Sequence, residues 1–241
     1  MIEPVAAADL IASFPAAGAG GSTVDLLEKF AVRRGVAYLA MSNPASIEDL
    51  VSGKWEVESI GAIRRAVEES SAQRVILVGH SMGGFSAIRL TDGLNSGLGL
   101  PVGLLIVNTP CPESSGRIPT MSHFSDAEIA QVLADDGFPQ ELLDDEDMLA
   151  EVADGLRADA MIADLLAEWV ASAGGLDALH VVSTRGDTFI PPEQGCAWQH
   201  RVSREFHWTV GPGGHALDEG SIEVLERAIN SVMASMQAEL A

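Results

Sequence analysis

Cysteine and basic residues are scarce in this chain. Its 241 residues include two cysteines, Cys111 and Cys196, and 14 lysines and arginines against 35 aspartates and glutamates, which gives a formal net charge of −21. Two cysteines do not make the disulfide framework of a small secreted domain, and they suit a reducing compartment. Proteins that bind nucleic acids or anionic membrane surfaces carry clusters of basic residues, which this composition lacks. We therefore expect neither as a partner.

Long hydrophobic runs and targeting signals are missing as well. No apolar run reaches the roughly 18 residues needed to cross a bilayer, and residues 1–4 lack the basic start of a secretory signal. The glycine-rich stretch 18–21 fits neither common nucleotide-binding pattern. No histidine–cysteine cluster has metal-ligand spacing. These absences predict a cytoplasmic protein without a metal or another cofactor.

Apolar residues, by contrast, are plentiful and patterned. They make up 47% of the chain, and no linker-like stretch divides it, so we expect one domain over residues 1–241. Runs typical of buried strands alternate with helical patterns such as those at 57–70 and 221–240. The strands are expected at 9–14, 36–42, 75–78, 103–108, 178–184 and 205–210. This alternation predicts an α/β fold with a mainly parallel, doubly wound sheet.

Residues 122–173 interrupt that alternation. Only helical spacing is found there, at 126–134, 139–143, 146–156 and 160–173. Some fifty residues are too many for a simple connection, so we expect a helical lid inserted between core strands and lying over the strand ends. The apolar residues of these helices should pack the lid onto the body. A few, among them Met161 and Leu165, are expected to line a substrate chamber.

A Gly-x-Ser-x-Gly turn follows the third expected strand, at Gly79, Ser81 and Gly83. These letters also occur in ordinary turns, but a buried strand before them and a helical pattern after them favour a nucleophile elbow. In such a turn the serine is exposed at a strained backbone position. We expect Ser81 to be a nucleophile and the next amide, that of Met82, to bind a developing oxyanion. His80 should point away from the serine, into the packed interior.

A catalytic serine needs a histidine to accept its proton and an acid to orient that histidine. Among six histidines, His215 follows the last strand after a glycine-rich loop, which is where an α/β-hydrolase fold carries its base. Asp187 follows the strand at 178–184 and is the expected acid, because no carboxylate follows the strand at 103–108. The loop after the first strand is expected to supply a second oxyanion N–H, at Ala16.

Several segments of the sequence together carry a family resemblance. They are Phe14-Pro15-x-Ala17-Gly18, Gly79-His80-Ser81-Met82-Gly83, His123-x-Ser125-Asp126-Ala127-Glu128-Ile129, Gly137-x-Pro139-x-Glu141-Leu142-Leu143, Leu156-Arg157-Ala158-Asp159, Gly186-Asp187, Trp198 and Gly213-Gly214-His215. This set resembles the type II thioesterases of polyketide and nonribosomal peptide synthesis over most of the chain. The lid segments are the specific part, because all α/β hydrolases share the elbow.

The resemblance implies hydrolysis of acyl or aminoacyl groups from the phosphopantetheine thiol of an acyl or peptidyl carrier protein. It gives Ser81, His215 and Asp187 the roles of a triad. One departure lies at 40–44, where the chain has Ala-Met-Ser-Asn-Pro in place of the family's Pro-Gly-Arg. Two alternatives stay open. One is a general serine esterase or lactonase that acts on free small molecules, and the other is a catalytically inactive α/β-hydrolase fold that serves as a binding module.

Overall fold

The computed structural model describes residues 9–19, 22–113, 121–135 and 138–239. Residues 1–4, 20–21, 137 and 240, which the sequence predictions include, lie outside these ranges. The described strands are β1 (Asp9–Phe14), β2 (Ala37–Ala40), β3 (Arg74–His80), β4 (Val102–Val107), β5 (Leu176–Thr184) and β6 (Val202–Gly211). They form one sheet in the order β2-β1-β3-β4-β5-β6, and every neighbouring pair is parallel.

Helices cover both faces of this sheet. They are α1 (Ser22–Arg34), α2 (Ile47–Val51), α3 (Lys54–Ser70), α4 (Met82–Leu98), α5 (Asp126–Asp135), α6 (Gln140–Leu143), α7 (Glu146–Ser172), α8 (Glu193–Ala197) and α9 (Ile222–Glu239). None of those in the described ranges has the length and hydropathy of a membrane span.

The alternation of strand side chains divides the interior into two cores. In β3, Val75 and Leu77 pack with α3 and α4 on one face, whereas Ile76 and Val78 pack with α1 and α9 on the other. A strand whose side chains are apolar in both directions requires cover on both faces, which the helices supply. The doubly wound parallel sheet predicted from the sequence is confirmed.

The lid differs from the prediction in its last helix. The sequence predicts separate helices at 146–156 and 160–173, but α7 is continuous over Glu146–Ser172. The intervening residues favour a helix, because Arg157 donates to Asp154 one turn earlier (2.9 Å) and to the carbonyl oxygen of Phe124 (2.9 Å). Arg157 also bonds to Asp126 at the start of α5, which ties the two lid helices together.

The two halves of α7 belong to different parts of the molecule. Ala153 and Leu156 in the first half form a small core with Ile129 of α5. Ile162 and Leu166 in the second half are buried in the main core beside α4. Only the first half therefore behaves as a lid. The general expectation that apolar lid residues are buried is wrong for Met148 and Met161, which are 40% and 48% exposed.

One short element between β2 and α3, the helix α2, was not predicted. Strand β2 is shorter than the expected 36–42, and α2 follows it. The side chain of Ser46 caps α2 by accepting from the amide of Asp49 (3.1 Å). Gly53, with a φ of 74°, then separates α2 from α3 in a conformation that suits glycine.

His80, the last residue of β3, is a buried polar group that links the end of this strand to the loop after β6. It is 2% exposed, and its Nε2 donates to the carbonyl oxygen of His215 (2.9 Å) in the loop after β6. Burial, and to a lesser extent the neighbouring charge of His215, lowers the pKa of His80 to about 3. The imidazole is therefore neutral throughout the physiological range.

This depressed pKa makes the fold sensitive to acid. The unfolded chain binds a proton at His80 that the folded chain does not, so stability falls as the pH drops from 6.5 towards about 3. By pH 5 this one group accounts for about 2 kcal/mol of lost unfolding free energy. His80→Gln, whose amide can still donate to the His215 carbonyl, should lose about 2 kcal/mol less than the wild type between pH 7 and pH 5.

Urea unfolding at the two pH values measures the difference. His180, whose pKa burial lowers to about 4, contributes to the loss in both proteins and cancels in the comparison. Equal losses in wild type and variant would contradict a buried, neutral His80.

Candidate active site

Ser81 is the single residue between β3 and α4. Its φ of 54° and ψ of −119° are sparsely populated for a residue with a side chain. The surroundings hold it there, because its amide donates to the Val107 carbonyl of β4 (2.8 Å) and its carbonyl accepts from Thr109 Oγ1 (3.0 Å). The sharp turn lifts the Ser81 hydroxyl above the carboxyl ends of the strands.

Two glycines allow this turn to form. A Cβ at Gly79 would overlap the carbonyl oxygen of Gly83, so the strand and the helix can meet only if residue 79 has no side chain. A Cβ at Gly83 would overlap the carbonyl oxygens of Phe14 and Pro15 in the loop after β1. The Gly-x-Ser-x-Gly spacing is thus a requirement of backbone packing.

The structure brings Ser81, His215 and Asp187 into one chain of hydrogen bonds. Ser81 Oγ lies 3.1 Å from His215 Nε2, and His215 Nδ1 lies 2.8 Å from Asp187 Oδ2. The other oxygen of Asp187 accepts from the amides of Phe189 (2.9 Å) and Ile190 (2.7 Å). Because both oxygens of this buried carboxylate act as acceptors, His215 Nδ1 carries a proton and Nε2 is free to accept one from the serine.

Asn108 holds the histidine loop in place. It follows β4 at a φ of 47°, at the strand end where the sequence has no carboxylate. Its Oδ1 accepts from the Thr184 amide (2.9 Å), and its Nδ2 lies within reach of the carbonyl oxygens of Gly214 (3.3 Å) and His215 (3.4 Å). The amide thereby connects the ends of β4 and β5 to the loop that carries His215. Sequence reasoning missed this residue.

The expected oxyanion donors lie on two segments beside Ser81. Met82 is the first residue of α4, so its N–H has no acceptor within the helix. Ala16 follows Pro15, whose carbonyl oxygen packs against Gly83. The Pro15 carbonyl also accepts from Asn43 Nδ2 (2.8 Å), while Asn43 Oδ1 accepts from Ser86 Oγ of α4 (2.8 Å). Asn43, which lies in the segment that departs from the family pattern, bridges the Ala16 loop and the helix after Ser81.

The lid holds the same loop from its other end. Asp159 of α7 accepts from the amide of Gly18 (2.7 Å), and a Cβ at Gly18 would press on Leu156 at 2.9 Å. Ala17 packs with the small lid core that contains Leu156. The Leu-Arg-Ala-Asp segment of the lid and the Phe-Pro-x-Ala-Gly loop are therefore direct contact partners.

A small cavity of about 70 Å³ lies between the lid and the histidine. Val132 and Asp135 of α5 line it together with Thr188, Phe189 and His215. The ring of Phe189 meets that of His215 edge-on, with centroids 5.4 Å apart. Val132, which lies in the predicted helix at 126–134 among the apolar residues expected to pack the lid, is the apolar lid residue of this cavity.

The site residues expected from the sequence thus fall into two groups. Ser81, His215 and Asp187 are joined by hydrogen bonds, and Met82 and Ala16 are on the segments beside them. Met161 is exposed and Leu165 half-buried on α7, and their place in a substrate chamber stays a prediction. A serine linked in this way to an imidazole and a buried carboxylate can attack an acyl carbon.

Solved structures with the same fold include several thioesterases. RedJ-thioesterase from the prodiginine biosynthetic pathway in Streptomyces coelicolor is 22% identical, with a TM-score of 0.68 over 93% of this chain and 91% of that one. Human thioesterase 2 is 21% identical, with a TM-score of 0.66 over 96% and 97%. YbtT, the type II thioesterase from the yersiniabactin pathway, is 17% identical, with a TM-score of 0.70 over 98% and 96%.

At sequence identities this low, the structural similarity shows the fold alone. The family is shown by sequence comparison. No curated protein sequence matches the chain. A profile of the alpha/beta hydrolase family matches residues 10–226, a span that runs from β1 into the beginning of α9. The sheet, the turn at Ser81 and the lid all lie within that match, and the chain therefore belongs to the alpha/beta hydrolase family.

Proposed function

We propose that the chain is a serine thioesterase that hydrolyses acyl or aminoacyl thioesters from the phosphopantetheine arm of a carrier protein. The observation that carries the proposal is the chain of hydrogen bonds from Ser81 through His215 to Asp187 beside a helical lid. The structural likeness to RedJ, YbtT and other thioesterases of polyketide and nonribosomal peptide pathways supports the thioester as the substrate class.

In the first half of the reaction, Ser81 Oγ attacks the thioester carbonyl carbon and its proton passes to His215 Nε2. The oxygen of the tetrahedral intermediate becomes an anion, which the N–H groups of Met82 and Ala16 stabilise. The C–S bond then breaks, and the proton on His215 passes to the leaving thiolate. Asp187 keeps the ring in the required tautomer and stabilises its positive charge.

In the second half, water replaces the serine as the nucleophile. His215 Nε2 removes a proton from the water, which attacks the acyl-Ser81 carbonyl carbon. Collapse of the second intermediate breaks the bond to Ser81 Oγ, which recovers its proton from His215. The products are a free acid and the unloaded carrier thiol, so atoms and charge balance without a cofactor.

The position of the Ala16 amide depends on contacts at both ends of its loop. Asn43 holds the Pro15 carbonyl on one side, and Asp159 holds the Gly18 amide on the other. An oxyanion donor is effective only when it is fixed before the charge develops. We infer that these two side chains position the donor without touching the substrate.

A comparison of substrates tests the function itself. The same acyl group is presented on a phosphopantetheinylated carrier protein, on free pantetheine and as a simple ester, and hydrolysis is followed by intact mass or product release. We expect kcat/KM for the carrier-bound thioester to exceed that of the ester by more than about tenfold, because remote parts of the substrate contribute binding energy to the transition state. Equal or higher turnover of the ester would favour the esterase alternative.

Substitution of the triad tests the chemistry. Ser81→Ala should lower kcat by a factor on the order of 10⁶, and Asp187→Asn by about 10⁴ because His215 then adopts the wrong tautomer. A fluorophosphonate should label the wild type at Ser81 and leave Ser81→Ala unlabelled, while circular dichroism confirms that the variant is folded. A labelled, active Ser81→Ala variant would remove the elbow assignment, and an unlabelled, inactive wild type would favour the binding-module alternative.

Asn43 and Asp159 offer a separate test of the oxyanion loop. Asn43→Asp keeps an acceptor for Ser86 but loses the N–H that holds Pro15, and Asp159→Ala frees the Gly18 amide. Each should lower kcat by about tenfold, less than removal of a direct donor, with little change in KM. Affinity for a boronate that mimics the tetrahedral intermediate should fall in parallel.

Glu151→Ala, an exposed change on the same helix as Asp159, is the control and should behave as the wild type. If KM rose while boronate affinity stayed constant, the two side chains would act in substrate binding and not through the oxyanion donor.

A further inference from the structure

Three side chains with metal-ligating atoms meet on neighbouring strands, away from Ser81. His180 of β5 is paired in register with His207 of β6, and Glu205 lies two residues before His207 on the same face of the sheet. The ligand atoms of all three lie within 4.8 Å of one another. The two imidazole rings stack with centroids 4.5 Å apart and planes inclined by 22°.

The buried member of this cluster is weakly bonded. His180 is 4% exposed, and its Nε2 lies 3.5 Å from Ser235 Oγ of α9, a long hydrogen bond. Glu205 Oε1 is the shared acceptor, with Ser235 Oγ at 2.5 Å and His207 Nε2 at 2.7 Å. Donors and acceptors thus converge on one small volume from two strands and a helix.

We propose that His180, Glu205 and His207 form a binding site for a divalent transition-metal ion of the Zn²⁺ type. Two imidazole nitrogens and one carboxylate oxygen are a donor set that suits Zn²⁺ and leaves a further position for water or the Ser235 hydroxyl. No local spacing predicts this set, because Glu205 and His207 lie 25 and 27 residues after His180 and meet it only through strand pairing.

The geometry allows an ion to enter and to be enclosed. Zinc bonds of about 2.0–2.2 Å require the ligand atoms to draw closer, and the side chains of His207 and Glu205 are 49% and 33% exposed and can rotate. A cavity of about 690 Å³, lined in part by His180, Glu205 and Ser235, reaches the cluster from the solvent. Binding at His207 Nε2 requires the neutral ring to carry its proton on Nδ1, so the metal replaces the hydrogen bond from Nε2 to Glu205.

This site is separate from the proposed hydrolytic site. The cavity is bordered by the first residues of β4 and β5, Val102 and Leu176, whereas Ser81 follows the last residue of β3. Because the strands are parallel, these positions lie at opposite ends of the strands. An ion would connect the edge strand β6 to β5, next to Ser235 of α9, so its expected effect is on stability and not on the hydrolytic step.

Zinc binding to the chelator-treated full chain tests the proposal. Isothermal titration with Zn²⁺ alone is compared for the wild type, His207→Ala, Glu205→Gln and His200→Ala. His207 is half exposed, so its loss should leave the fold intact, and His200 is an exposed histidine outside the cluster that serves as the matched control. Mg²⁺, which prefers oxygen ligands, controls for weak attraction to the acidic surface.

We expect one Zn²⁺ to bind the wild type and His200→Ala alike, and the affinity to fall by more than about tenfold in His207→Ala and Glu205→Gln. Zn²⁺ should also raise the melting temperature of the wild type and of His200→Ala, because an ion that binds only the folded state stabilises it. It should leave the melting temperatures of His207→Ala and Glu205→Gln unchanged. Equal Zn²⁺ affinity in wild type and His207→Ala would locate the ion elsewhere. No Zn²⁺ binding in the wild type would leave the cluster as a hydrogen-bond network and overturn the proposal.

Discussion

The close approach of backbone around Gly83 fixes the geometry of the candidate site. The strand end at Gly79, the first turn of α4 and the loop after β1 meet there with no side chain between them. Because this contact leaves no free volume, main-chain packing sets the positions of the Ser81 hydroxyl and of the amides beside it. The remaining groups of the site are arranged around a turn that is already rigid.

Polar side chains then extend this rigidity to the loops. Asn108 connects the ends of β4 and β5 to the His215 loop, and Asn43 connects the Ala16 loop to α4. Both are amides that donate and accept at once, so each can bond to a carbonyl oxygen on one segment and to a donor on another. A carboxylate in either place could accept but not donate. These residues position groups that the proposed reaction uses, although they do not take part in the chemistry.

The sheet and the proximity of Ser81, His215 and Asp187 could be predicted from the sequence because both are encoded in short patterns. Apolar runs mark the strands, and Ser81 and His215 each follow a strand within a glycine-rich turn. Asn43, Asn108 and the cluster of His180, Glu205 and His207 depend on contacts between segments far apart in the chain, and no local pattern announces such contacts. The continuity of α7 was missed for another reason. Its apolar residues face one core in the first half and another core in the second half, and such a change in the pattern resembles two separate helices.

The continuity of α7 also limits how the lid of this alpha/beta hydrolase family member can be exchanged for that of a relative. The helix passes from the lid core at Leu156 into the main core at Ile162 without an interruption, and Arg201 donates to carbonyls at its end, those of Ala173 (3.1 Å) and Ala171 (3.4 Å). A lid transplanted from a relative as a cassette that ends near residue 173 would therefore also replace part of the recipient's main core. The natural seam for such a chimaera lies inside the helix, between Asp159 and Ile162, where the neighbours change from lid to body.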